Sequence, residues 1–390
     1  MNNRAHRTVS LLYRSLVLVG LCGLVACSSN EKANTPAELV DFDATLKIEK
    51  LWSTGVGNGQ GDVLSALVPA VSAGAVYAAS VDGDVEAYDL ASGDELWSME
   101  VGSALSAGVA VSGDRLFVGT QAGEMVALRS SSGEFLWATE LGSQVDSAPT
   151  ADRERVYVQT VDGKVIALDA ETGYRLWAYD GQQPVLTQRG TATPVLDGDT
   201  LYTGLDNGKV IALDARTGQM RWEGRVAVPQ GRSEIDRMVD VDGSPLVAAA
   251  RVYAVSLQGN LVAFNRSSGR LEWRFPASSY VALTEGFGNL YLVEGNGAIK
   301  ALNPESVLQR WEQGALSWRG LTSAVPISGY LLVGDREGYI HVLSQVDGSF
   351  VARFELDSDG VNVAPVVSDD IALVYGNSGK LMAFRLAPKR

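Results

Sequence analysis

Two histidines and two cysteines are all that this chain of 390 residues contains, and none is placed for chemistry. His6 lies in an N-terminal segment of its own character, and His341 lies in the strand-like run YIHVL at 339–343. That leaves no His/Cys cluster for a transition metal and no histidine to complete a hydrolytic triad. Cys22 falls inside an N-terminal apolar run and Cys27 directly after it, so the remainder has no thiol and no disulfide. Its stability must come from a packed core. Walker loops, GxSxG elbows and dinucleotide fingerprints are missing as well. Asp240-Val241-Asp242-Gly243 and Asp357-Ser358-Asp359-Gly360 resemble the opening of a calcium loop. Arg251 and Ser368 stand where its twelfth-position glutamate belongs, and both runs read as turns. Basic residues are in deficit, 32 against 46 acids for a net charge of −14. That balance argues against nucleic acid and against electrostatic docking on anionic lipid. Neither a metal nor a cofactor is expected.

What the chain does have is a repeat. VDGKVIALDAETGYRLW (161–177) returns as DNGKVIALDARTGQMRW (206–222), QAGEMVALRSSSGEFLW (121–137) and DGDVEAYDLASGDELW (82–97). Weaker copies are QGNLVAFNRSSGRLEW (258–273) and NGAIKALNPESVLQRW (296–311). A further copy at 336–354 ends on Phe354, which the pattern places at the tryptophan position. Ahead of each copy is a β-branched and aromatic run, such as AVYAAS (75–80), RLFVGT (115–120) or RVYVQT (155–160), and ahead of that a run of small residues. Four short strands per unit of about 40–50 residues is the signature of a propeller blade. Asp162-Gly163 and Asn207-Gly208 suggest type I′ hairpins. The last copy, NSGKLMAFRLAPKR (377–390), stops before a fourth strand, while KIEKLW (47–52) has no blade in front of it. Pairing the two completes an eight-bladed, all-β ring over 47–390 and leaves no bare strand edge at the joint.

The first 26 residues differ. Arg4, Arg7 and Arg14 precede the apolar run LVLVGLCGLVA (16–26), which is too short for a spanning helix and built like a signal peptide. Its end, Leu24-Val25-Ala26-Cys27, resembles the lipobox of bacterial lipoproteins, with Cys27 the lipidated residue. Ser28 follows in place of the aspartate that signals inner-membrane retention, which by that analogy implies the outer membrane of a Gram-negative cell, facing the periplasm. The polar segment 27–46 reads as a flexible, lipidated tether.

Irregular spacing marks two loops. Trp97, Trp137 and Trp177 are forty residues apart, but Trp222 and Trp273 follow at forty-five and fifty-one. The extra residues are YDGQQPVLTQRG (179–190) and GRVAVPQGRSEIDRMVDVDG (224–243), in neighbouring blades and on one face of the ring. Insertions on one face of a repeat protein often form its binding face. A third connection there, QGALSWRGLTS (313–323), adds Trp318 and Arg319 to this face.

QPVLTQRG (183–190), followed by SEIDR (233–237) and DVD (240–242), resembles the BamB family of outer membrane protein assembly factors. The resemblance covers the lipobox, the tether and all eight blades. It implies a non-catalytic lipoprotein that binds the periplasmic POTRA domains of BamA and assists insertion of β-barrel proteins into the outer membrane. By the same resemblance, partner contacts fall on Leu186, Gln188, Arg189, Asp240 and Asp242, with Gln188 standing where the family often has leucine. Glu234, Asp236 and Arg237 are the loop-shaping residues. Contact of the blade edges with nascent outer-membrane strands is a further possibility. Two alternatives stay open: a quinone-dependent periplasmic dehydrogenase, whose repeats end on tryptophan in the same way, and an envelope scaffold with another partner.

Overall fold

In the computed structural model, residues 34–61, 67–181, 184, 186, 187 and 191–389 are described. Cys27, Gln188 and Arg189 lie outside them. Thirty-two strands form eight antiparallel sheets of four. Blades 1 to 7 take their strands in chain order, at 70–100, 110–140, 150–180, 195–225, 246–277, 284–313 and 325–355. Blade 8 is composite. Its three inner strands are Val366–Ser368, Ile371–Tyr375 and Lys380–Pro388, and its outer strand is Leu46–Gly55. That outer strand pairs with Lys380–Pro388 from Leu46↔Pro388 to Gly55↔Lys380. Short inner strands of neighbouring blades touch, blades 5 and 6 share a buried apolar cluster, and the strand at 70–72 meets that at 366–368, so the ring is closed.

Strand alternation is visible where only one face is covered. The outer strands Glu95–Glu100 and Arg175–Asp180 alternate exposed with half-buried residues, whereas Ala75–Ala79 and Thr200–Leu205, second in their blades, are buried throughout. Buried apolar clusters run from each blade into the next, so the core is a circular seam of blade-to-blade contacts.

The tryptophans clamp this seam. In blades 1 to 6 each ring tilts against an aromatic of its own blade, as Tyr77 against Trp97 and Tyr157 against Trp177 at centroid distances of 6.1 and 6.0 Å. With the exception of Trp273, the indole N–H of each blade tryptophan then reaches forward to a turn carbonyl of the next blade. Trp97 donates to Ser130 at 2.8 Å, Trp137 to Ala170 at 3.2 Å and Trp177 to Ala215 at 3.1 Å. The indole lies on the glycine of that turn, and a Cβ on Gly218 would stand 2.6 Å from the Trp177 ring. In blade 6 the turn glycine is replaced by Val307 at φ 60°, and the Trp273 N–H that should dock there has no hydrogen-bond partner among the described residues.

Three local readings are corrected. Register places Ala352, not Phe354, at the tryptophan position of blade 7: Trp311 faces Ala301 and Ala352 faces Val342 in the same way. Phe354 packs edge-on against Phe384, 5.3 Å away. The physical reason is the joint. Blade 8 has no turn between its third and fourth strands, which come from opposite ends of the chain, so a tryptophan in blade 7 would have nothing to dock on. The Asp162-Gly163 and Asn207-Gly208 hairpins are not type I′, because only their glycines have positive φ. The type I′ geometry occurs at the other hairpins, as at Ala73-Gly74 and Ser328-Gly329, where both residues are left-handed.

The tether is also shorter than 27–46. From Ala37 onward the chain is fastened to blade 7. The Ala37 N–H donates to Ser317 O at 2.8 Å, Arg319 Nη1 donates to Ala37 O and Arg353 Nη1 to Val40 O, each at 2.9 Å. Phe42 stacks on Phe350 at 5.4 Å, with the Arg353 guanidinium over both rings.

Candidate partner-binding face

The connections from each outer strand to the next inner strand share one face with the hairpins between second and third strands. Both long insertions therefore emerge there. The segment at 226–245 is held from both ends. Val226 N–H donates to Gly208 O at 2.9 Å, and Asp240 O accepts from Leu257 N–H at 2.9 Å. Between these points Ser233 and Asp236 exchange hydrogen bonds, backbone N–H to side-chain oxygen in each direction, at 3.2 and 3.1 Å. Those bonds hold the Asp236 carboxyl below the usual carboxylate range. Glu234 and Arg237 form an exposed ion pair at 3.7 Å, the weaker of the two devices. Gln258 Nε2, from the neighbouring hairpin, donates to Ile235 O at 3.1 Å.

The named site residues separate by burial. Leu186 is 41% exposed and Ile235 62% exposed. Asp240, a partner contact by the resemblance, is fully buried. Packing explains this: Val241, its neighbour, covers Gly204 so closely that a Cβ there would meet Val241 O. Asp242 is half-buried, and its Oδ1 is sealed from solvent without a hydrogen-bond partner among the described residues. Burial, then the charges of Asp240 and Asp206, push the Asp242 carboxyl well above its ordinary value. Asp206 is a member that reading the sequence missed. It looks like one more turn aspartate before Asn207-Gly208, and only tertiary packing shows it buried beside the second loop.

Trp318 and Arg319 also part company. Trp318 is 44% exposed on a left-handed backbone at φ 60°, fixed by its N–H to Asn296 O at 2.8 Å. It borders a cleft of about 600 Å³ with Leu257 and Tyr280. Arg319 is buried and does not belong to the exposed face. Its Nε pairs with Asp335 Oδ2 at 2.6 Å, and the same oxygen meets His341 Nε2 at 2.8 Å. Arg353 Nε donates to His341 Nδ1 at 3.1 Å, which makes the imidazole neutral with its proton on Nε2. Burial lowers the pKa of His341 although Asp335 opposes it. Burial also works to raise Asp335, but its bonds from His341 and Arg319 prevail and hold it low. Asp357 accepts from Ser378 N–H and Oγ–H at 2.8 Å, a turn role. Among the described residues no group of three or more His, Cys, Asp or Glu is arranged to hold a metal ion.

The family model described as outer membrane protein assembly factor BamB matches residues 81–305. The chain belongs to the BamB family. An outer membrane protein assembly factor BamB from Pseudomonas aeruginosa is 50% identical over 364 residues, 93% of this chain and 96% of that one. One from Marinobacter adhaerens is 50% identical over 375 residues, 96% of each. The crystal structure of BamB from Moraxella catarrhalis superposes with a TM-score of 0.81 at 28% identity, over 87% of this chain and all of that one. A europium-containing methanol dehydrogenase also superposes, at TM-score 0.73 over 87% of this chain and 93% of that one, but at 14% identity. That likeness shows the shared propeller fold alone, since a fold carries no activity with it.

Proposed function

We propose that this chain is a non-catalytic scaffold of the outer-membrane β-barrel assembly machinery, tethered by lipid at Cys27 and facing the periplasm. Its partner is BamA, bound through the periplasmic POTRA domains at the face built by the loops at 181–194 and 226–245. One observation carries this reading: the rigid ring holds Asp242 beside two further acids, with one carboxylate oxygen dry. A donor from a partner can reach the half-buried Asp242 carboxyl, and the exposed Leu186 and Ile235 supply apolar contact around it.

The test is calorimetric titration of the ring with isolated POTRA domains. Asp242→Asn or Arg189→Glu is expected to weaken binding by about 2 kcal/mol, roughly thirtyfold in Kd, as desolvated interface anchors do. Arg153, an exposed arginine away from the loops, is the control, and Arg153→Glu should bind like the parent. Parent-like affinity for both loop variants would place the partner elsewhere.

A further inference from the structure

The segment at 36–45 is too well fastened to be tether, and its direction matters more than its length. It starts beside Ser317, in a connection on the loop face. It ends at Thr45, whose N–H donates to Val351 O at 3.0 Å, near the start of the outer strand Phe350–Glu355 of blade 7. That strand begins at the hairpin on the opposite face, so the segment crosses the full height of the blade. The next strand, Leu46–Gly55, then climbs back up as the outer strand of blade 8. Without the fastening, the chain would join the ring at Leu46, on the face away from the loops. With it, the chain joins the ring at Pro36, on the loop face.

The fastening is built from inside the blade. Asp335 is fully buried, and it orients Arg319 through Nε while Nη1 of the same guanidinium holds Ala37 O. His341, bonded to the same carboxylate, accepts from Arg353 Nε, and Arg353 Nη1 holds Val40 O. Two strap carbonyls thus hang from one buried charge network. Phe42 closes it from outside, stacked on Phe350 with the Arg353 guanidinium over both rings. A guanidinium lying over two ring faces and bonded through Nε and Nη1 is a strong local clamp, with Nη2 buried and without a hydrogen-bond partner among the described residues.

We infer that residues 36–45 are a strap that turns the loop face of the ring toward the membrane, so that lipid anchor and partner-binding surface share one side. This rests on Cys27 being the anchoring residue. Eight residues then separate the anchor from the strap, a reach of about 30 Å at full extension. A tether running to Leu46 would reach about twice as far and arrive at the wrong face.

The experiment uses the chain from Cys27 onward, whose sole thiol accepts a maleimide lipid in vitro, so its outcome does not depend on whether cells lipidate that cysteine. A donor dye is introduced by a non-canonical amino acid at Glu337, in a loop-face hairpin of blade 7, or at Val346, in the opposite hairpin of the same blade; both are exposed. Transfer is measured to an acceptor on the headgroups of phosphatidylcholine vesicles. The two sites lie about 20 Å apart along the strands, and transfer from Glu337 is expected to exceed that from Val346 by about twofold or more. Equal transfer, or stronger transfer from Val346, overturns the inference. The double variant Phe42→Ala, Arg353→Ala should abolish or reverse the difference; persistence of the parental difference would also overturn it. Phe42→Ala alone serves the same comparison if the double variant does not fold.

Discussion

At the residue scale, the turn glycines and buried charges make the sharpest claims. Gly218 lies at φ 72° with the Trp177 indole across the space a Cβ would fill. Gly218→Ala should therefore cost roughly 2–3 kcal/mol, from a disfavoured backbone and a crowded ring together, read as a lower midpoint in urea. Arg319→Ala leaves Asp335 buried without its cation, and a loss of about 3–5 kcal/mol in the same assay is expected. Asp242 acts in the opposite direction. Its folded pKa is raised, so its charge works against folding, and that cost is absent below the unfolded value of about 3.9. As pH rises above that value the parent should lose stability relative to Asp242→Asn, until the folded carboxyl has ionised. Thermal melts of both proteins between pH 4 and pH 8 should show the gap opening in that order. The variant that stabilises the ring is thus the one that weakens partner binding, a pairing of signs that separates a functional acid from a structural one. None of this could be read from DVD at 240–242, since a run of turn residues looks the same whether water or protein covers it.

At the element scale, the repeat was legible because its signals are local. A glycine turn, an alternating strand and a tryptophan lie within about seventeen residues of one another, and local patterns survive in sequence. The missing tryptophan of blade 7 was misassigned to Phe354 because register is a pairing property, and only the partner strand Tyr339–Ser344 identifies Ala352. The strap was invisible for a similar reason. Its alternation of half-buried and exposed residues is weak, and the groups that hold it, Arg319 and Arg353, lie some 280 and 310 residues away. Deletions distinguish strap from closure. Removing 46–55 takes the outer strand from blade 8 and bares the edge of Lys380–Pro388, so aggregation on heating and a lost cooperative melt are expected. A chain beginning at Leu46 keeps that pairing and should melt cooperatively, at a moderately lower temperature. Light scattering during the melts tells the two apart.

At the scale of the whole molecule, anchoring and folding are separate. Cys27→Ser should leave the melting curve unchanged and move the protein from the membrane pellet to the soluble periplasmic fraction. Retention in a carbonate-washed pellet would show that the ring itself holds the membrane. The acidic balance of the chain makes that a demanding test, because a net charge of −14 opposes electrostatic docking on anionic lipid in place of the anchor. The composite blade carries a different consequence, one of timing. During synthesis and export the strand Leu46–Gly55 emerges first, yet its only sheet partner, Lys380–Pro388, emerges last. Every other blade can assemble as it arrives, each indole waiting only for the next turn to follow. The opening strand has to wait for the entire chain, with one hydrogen-bonding edge unsatisfied and one apolar face uncovered. The same seam that closes the finished ring therefore sets its most vulnerable interval, between the entry of the first strand into the periplasm and the arrival of the last.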